Sequence, residues 1–113
     1  MPLIASLGLL NATGFGLSAS GKKSTIAVGH STTPFISAYP WSSGFGTKYA
    51  NPSTLPTGIG TGVSFNPAGT AIAVAHATLP FISAYPWSAG FGTKYANPST
   101  LPTGNGEAVA FSN

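Results

Sequence analysis

The sequence contains a long internal repeat, which limits the folds that it can adopt. Residues 26–58 recur as residues 72–104, displaced by 46 positions. A weaker match extends the unit backward, to residues 14–25 and 60–71, and residues 106–113 match its start once more. Within the strong match only four pairs of positions differ: Gly29/Ala75, Ser31/Ala77, Thr33/Leu79 and Ser43/Ala89. A fixed period of this length is typical of folds in which similar units stack on one another, and about two and a half units fit in the 113 residues.

Each unit is divided by turn signals into short segments with strand-like composition. In the second unit these segments predict strands over residues 62–65, 71–76, 81–87 and 91–96. The sequence NPAG at residues 66–69 predicts a type I turn, because proline stands at its second position and glycine at its fourth. No segment has helical periodicity, so the pattern predicts an all-β fold.

The third segment of each unit alternates between large and small residues. In residues 81–87 (FISAYPW) the alternation places the aromatic side chains on one face of the strand. Pro86 cannot donate a ladder hydrogen bond, so it is expected at the end of the strand or at a bulge. Five large side chains are predicted to be buried: Phe35, Tyr39, Ile72, Phe81 and Tyr85.

Four short strands in a unit of about 46 residues are typical of a β-propeller blade. Residues 63–75 (VSFNPAGTAIAVA) resemble the opening of WD40-type repeats, with the pattern V-x-F-S-P-D-G-x-x-[LI]-A-x-[AG]. Residues 81–86 (FISAYP) stand where that family has its third strand and its Trp-Asp pair. The resemblance covers residues 15–113, but the Trp-Asp and Gly-His signatures are missing, so the family's polar network is not carried over.

Together, the repeat and the resemblance predict propeller blades of four antiparallel strands. The expected domains are an apolar arm at residues 1–14, blades at 15–60 and 61–106, and the first strand of a third blade at 107–113. Residues 2–10 (PLIASLGLL) lack the basic segment of a signal peptide and are too short to span a bilayer. They predict an ordered arm, with a degenerate export signal as the alternative.

Composition excludes most catalytic chemistry. Glu107 is the single acid, so neither a pair of catalytic carboxylates nor a Ser-His-Asp triad can form. The absence of cysteine excludes disulfides and thiolate-bound metals. Four lysines are too few to line a nucleic-acid-binding surface. We therefore predict no enzyme activity, no cofactor, no catalytic or metal site, no nucleic-acid partner and no membrane span.

Two or three blades cannot close a propeller, which needs roughly four to eight. Open blades would expose large apolar patches, which monomers avoid. The chain is therefore expected either to form a homo-oligomer or to be part of a longer repeat protein. A ring of three or four chains is favoured, with an open filament as the alternative. Eight residues are predicted to pack between blades or subunits: Phe35, Tyr39, Trp41, Phe81, Tyr85, Trp87, Val109 and Phe111.

Three sets of repeated side chains are candidates for a ligand site. His30 and His76 indicate either a repeated metal site or a hydrogen-bonding residue at the blade edge, and the lack of nearby carboxylates favours the second interpretation. The repeated Trp and Tyr residues could stack on sugars, but their position in strands favours a core role. The repeated pair Lys48/Tyr49 and Lys94/Tyr95 is predicted to be exposed and is the candidate ligand surface. The alternative is that the lysines only solubilise the edge and prevent edge-to-edge pairing.

Two functions from different classes are compatible with these patterns. The first is a structural protein whose blades complete a ring or filament by self-association. The start MPLIASLG resembles that of some phage structural proteins, which favours a virion or extracellular location. The second is a multivalent binding module that displays identical loops to a glycan or another host-surface ligand.

Overall fold

Five β-strands form the regular secondary structure of residues 24–113, the part of the chain that the computed structural model describes. They are β1 (Ser24–Gly29), β2 (Ile36–Trp41), β3 (Gly60–Phe65), β4 (Ala71–His76) and β5 (Ile82–Pro86). Strands β1 and β2 form a two-stranded antiparallel sheet, and the other three form an antiparallel sheet in the order β3-β4-β5. The predicted all-β class is confirmed, whereas the predicted arm at residues 1–14 and the start of the first unit lie outside the described residues.

The structure repeats with the same period as the sequence. In the second unit Ile72 pairs with Tyr85. In the first unit Ile26 pairs with Tyr39 in the same register. The isolated bridge between Trp41 and Phe45 is likewise repeated 46 residues later. The two units are therefore copies of one supersecondary structure.

The predicted turn between the first two strands of the unit is confirmed. Gly69 N donates to the carbonyl oxygen of Asn66 at 2.9 Å. The Asn66 side chain also caps the hairpin, because its Oδ1 accepts hydrogen bonds from the backbone of Thr70 and Ala71 at 2.8 and 3.0 Å. Gly69 has a φ of 73°, a conformation that glycine adopts without steric strain.

The prediction of a regular fourth strand over residues 91–96 is wrong. The segment returns along β5 but bonds to it at separate points: Gly92 N donates to Pro86 O at 2.7 Å and Tyr95 N donates to Ala84 O at 2.8 Å. A regular antiparallel ladder needs N–H donors from both strands. Pro86 has none, so the ladder is interrupted at this point. The described sheet of the second unit thus has three strands and an irregular edge.

The core lies between the two units. We call the side of a unit that carries its Trp the front face, and the opposite side the back face. In the second unit the front face consists of Val63, Phe65, Ile72, Val74, Tyr85, Trp87 and Phe91. In the first unit the back face consists of Ala27, Ile36, Ala38 and Tyr49. These two faces pack together into one apolar cluster, in which Ile36, Ala38, Ile72, Val74 and Tyr85 are fully buried.

Of the five side chains predicted to be buried, Ile72 and Tyr85 are buried and Phe35, Tyr39 and Phe81 are half-buried. Phe35 and Phe81 precede their strands and belong to the turn that leads into them. Their φ angles are 72° and 74°, and each donates its N–H to a threonine carbonyl three residues earlier. The turn directs these rings away from the position that a regular strand would give them.

Candidate functional site: the faces of the repeat unit

The junction between the units is an aromatic contact with a defined geometry. The Trp87 ring of the second unit meets Tyr49 of the first unit edge-on, with ring centroids 4.9 Å apart and planes at 90°. Phe65 packs against the same indole at 5.2 Å. Such edge-to-face pairs stabilise a contact beyond the area they bury. Trp87 is therefore the centre of the junction.

A buried hydroxyl adds a polar contact to the same junction. The Tyr85 hydroxyl donates to the carbonyl oxygen of Thr54, in the loop of the first unit, at 2.7 Å. Burial raises the pKa of Tyr85 to about 12, because a phenolate would lose its hydration there. Tyr85 therefore stays protonated and remains a hydrogen-bond donor at physiological pH.

The front face of the first unit is exposed, although its residues match the buried front face of the second. Trp41 is 39% exposed, whereas Trp87 is 8% exposed. Val28 is 48% exposed, whereas Val74 is fully buried. The face forms an apolar groove of about 660 Å³ whose lining includes the front-face residues Ile26, Val28, Tyr39 and Phe45. The sequence analysis did not single out Ile26, Val28 and Phe45, but their alignment with Ile72, Val74 and Phe91 could have identified them.

The back face of the second unit is open in part, although Ala73 and Ala75 on this face are buried. A smaller groove of about 200 Å³ lies there, and Ile82, Ala84, Lys94 and Tyr95 are among its lining residues. Tyr95 is 51% exposed, whereas its counterpart Tyr49 packs on Trp87. In the described part of the chain, each end of the two-unit stack thus exposes one of the two surfaces that form the internal junction.

Residues 106–111 follow the second unit as β3 follows the first. Gly106 N donates to His76 O at 2.9 Å, and Gly60 N donates to His30 O at 3.0 Å. No strand is assigned to residues 107–113. Val109 is half-buried, and Phe111, the counterpart of Phe65, is 38% exposed. The predicted pairing of this segment with another chain stays a prediction.

Each of the two histidines bonds to a serine on the other strand of its hairpin. His76 is fully buried, and its Nδ1–H donates to the carbonyl oxygen of Thr78 at 2.9 Å. Its Nε2 then accepts from the hydroxyl of Ser83 at 2.9 Å. His30 Nε2 lies 2.8 Å from the Ser37 hydroxyl in the first unit. Both imidazoles therefore serve in hydrogen bonds within the hairpin, and the described residues contain no cluster of three or more metal-ligating side chains.

Acid is expected to destabilise the fold through His76. Burial lowers the pKa of His76 from its ordinary value of 6.5, because the imidazolium would be desolvated, and the positive charge of Lys94 acts in the same direction. The unfolded chain thus binds a proton more readily than the folded one, and stability falls as the pH is lowered below about 6.5. Urea unfolding between pH 5 and 8 measures this effect. His76→Gln should give a flatter pH profile, and an equally steep profile would contradict the assignment.

The predicted ligand surface is not the same in the two units. Lys48 and Lys94 behave alike, since each donates from Nζ to an asparagine three residues later, Asn51 or Asn97. Tyr49 is half-buried in the junction, so it does not share the exposure of Tyr95. The expectation that these four residues form an identical exposed surface is therefore wrong for Tyr49, because the second unit covers it.

No protein-family model, curated protein or solved structure matches the chain. Within residues 24–113, no helix is long and apolar enough to cross a membrane.

Proposed function

We propose that this protein is a non-enzymatic structural subunit that acts by self-association of its repeat units. One observation carries the proposal: the front face that the first unit exposes is the surface that the second unit buries against its neighbour. Exposed apolar surfaces of this kind mark interaction sites. The low content of ionisable groups, with Glu107 as the single acid, supports a non-enzymatic role.

In this proposal the units are blades of a β-propeller or of a related stack. Support comes from the antiparallel sheets, the period of 46 residues and the face-to-face packing of consecutive units. Three or four chains would supply the blades of a closed ring. If the rotation between successive units does not close, the same contact produces an open filament.

The mass of the 113-residue chain in solution tests this function. Size-exclusion chromatography with light scattering should show oligomers at micromolar concentration, whose mass falls on dilution. Far-UV circular dichroism recorded on the same samples should show β-structure without helix. A well-folded monomer over the whole concentration range would overturn the proposal.

A second candidate function is a binding module that displays one loop several times. Residues 42–46 and 88–92 support it, because the two loops have the same conformation. Ser42 N donates to Gly44 O at 3.0 Å and Ser88 N donates to Gly90 O at 3.1 Å. Binding of the oligomer on a glycan array, abolished by changes in both loops, would favour this function. A chain that assembles but binds no glycan would favour the structural role.

A further inference from the structure

We infer that two copies of this chain associate head to tail, with the back face of the second unit of one copy docked on the front face of the first unit of the next. The inference rests on the proposed self-association and specifies its interface. The occupant of both open faces is thus a second copy of the chain, and the internal junction is the template for the contact.

The sequence repeat makes the two surfaces complementary. The residues that form the internal back face, Ile36, Ala38 and Tyr49, recur unchanged as Ile82, Ala84 and Tyr95. On the front face, Ile72, Val74 and Trp87 of the internal junction recur as Ile26, Val28 and Trp41, which the first unit exposes. A second copy can therefore repeat the packing that already exists within one chain.

The specific contacts of the new interface follow from those of the internal junction. Tyr95 of one copy is placed edge-on against Trp41 of the next, as Tyr49 lies against Trp87 at 4.9 Å. The Tyr39 hydroxyl of the next copy is placed to donate to the Thr100 carbonyl, as that of Tyr85 donates to Thr54. The contact thus reproduces both the aromatic and the polar part of the junction.

A donated strand completes the contact. Strand β1 has a partner strand on one side only among the described residues, whereas its counterpart β4 lies between β3 and β5. Residues 106–111 (GEAVAF) match β3 (GTGVSF) and already leave the second unit along the path of β3. In the register of β3 and β4, Val109 would face Val28 of the next copy and Phe111 would face Ile26.

The aromatic contacts favour pairing of β1 with residues 106–111 of another copy over pairing with the segment of its own unit that aligns with β3. Phe65 packs on Trp87 with ring centroids 5.2 Å apart. Phe111 offers the same ring to Trp41 of the next copy, while the aligned residue in the first unit's own sequence is Ala19. Alanine leaves the indole without this neighbour, so residues 106–111 are the better-matched strand.

Two single variants and their mixture test the head-to-tail arrangement. Trp41→Ala alters only the front face, and Tyr95→Ala alters only the back face. Each alone should weaken self-association about tenfold or more, because interface Trp and Tyr residues are those whose truncation has the largest effects. When the two variants are mixed, the intact back face of the Trp41→Ala chain can dock on the intact front face of the Tyr95→Ala chain. Light scattering should then detect a 1:1 heterodimer whose growth is blocked at both ends.

The controls separate the interface from the function. At nanomolar concentration both variants should lose much less stability to urea than Trp87→Ala does, because Trp41 and Tyr95 are 39% and 51% exposed in the single chain. If both variants assemble as the wild type does, or if the mixture forms no heterodimer, the head-to-tail contact is wrong while self-association stands. A wild-type chain that is monomeric throughout would instead overturn the proposed function.

Removal of residues 106–113 tests the donated strand by itself. The truncated chain should elute as smaller species than the full chain, and Phe111→Ala should have the same effect in weaker form. If the truncated chain assembles as well as the full chain, the contact consists of the faces alone and strand donation is wrong.

Discussion

Replacing Trp87 with alanine is expected to lower the free energy of unfolding by about 3–5 kcal/mol, the range for a buried aromatic residue. Trp87 is 8% exposed, and its indole contacts Tyr49, Phe65 and Phe91 edge-on at 4.9–5.2 Å between ring centroids. The truncation removes the centre of this cluster and leaves a cavity between the two units. Because a small domain has only about 5–15 kcal/mol of stability in total, this loss is a large fraction of it, and the midpoint of urea unfolding should fall accordingly.

The repeat supplies a matched control for this variant. Trp41→Ala changes the same residue type at the equivalent position, but the side chain is 39% exposed. Urea unfolding at nanomolar concentration should show a smaller loss of stability for Trp41→Ala than for Trp87→Ala. At micromolar concentration the difference in stability to urea between the wild type and Trp41→Ala should increase, since self-association stabilises the folded wild-type chain by mass action. Equal losses for the two variants at nanomolar concentration would contradict the assignment of the junction.

Replacing Gly60 with alanine is expected to disrupt the start of the second unit, at a cost of about 1–3 kcal/mol. A Cβ atom at this position would overlap the backbone oxygen of Phe35 and lie 3.0 Å from the Cα of Gly29. Both neighbours are backbone atoms held by hydrogen bonds of the first hairpin, so neither can rotate away. The two units must separate to accept the methyl group, and thermal unfolding monitored by circular dichroism should show a lower Tm.

Gly104→Ala is the control for this substitution. A Cβ at Gly104 would meet no atom within 4 Å, so its Tm should stay close to that of the wild type. Gly106→Ala is an informative third variant, because its Cβ would lie 2.5 Å from the oxygen of Phe81. It should displace residues 106–111 while leaving the junction between the units intact. A Gly60→Ala chain as stable as Gly104→Ala would show that the units do not approach each other as described.

The parts of the fold that depend on neighbouring residues in the chain could be predicted from the sequence. The bounds of β4 were predicted correctly over residues 71–76, and the turn at 66–69 has the hydrogen bond that its proline and glycine indicate. The predicted alternation is also observed, because Tyr85 and Ser83 pair with Ile72 and Val74 and so lie on the same face of the sheet. These features follow from local backbone preferences and from the two-residue period of a strand.

Departures from the prediction arise where local rules compete. Residues 91–96 have a composition compatible with a strand, but they must pair with a strand that contains Pro86 and so make only separate hydrogen bonds. Phe81 fits the alternation of a strand, but the turn before β5 holds it at a positive φ. In both cases the backbone, rather than the side-chain pattern, determines the conformation.

The sequence establishes that the chain consists of similar β-units, and the alternation in residues 81–87 places Ser83, Tyr85 and Trp87 on one face. It could not determine which copy of each face is buried, because the two copies are nearly identical in sequence. Tyr49 and Tyr95 have the same flanking residues, yet one packs on an indole and the other is 51% exposed. Burial depends on the surface that lies opposite a residue, so it follows from the tertiary contacts. A stack of units has a covered junction in its middle and an uncovered face at each end.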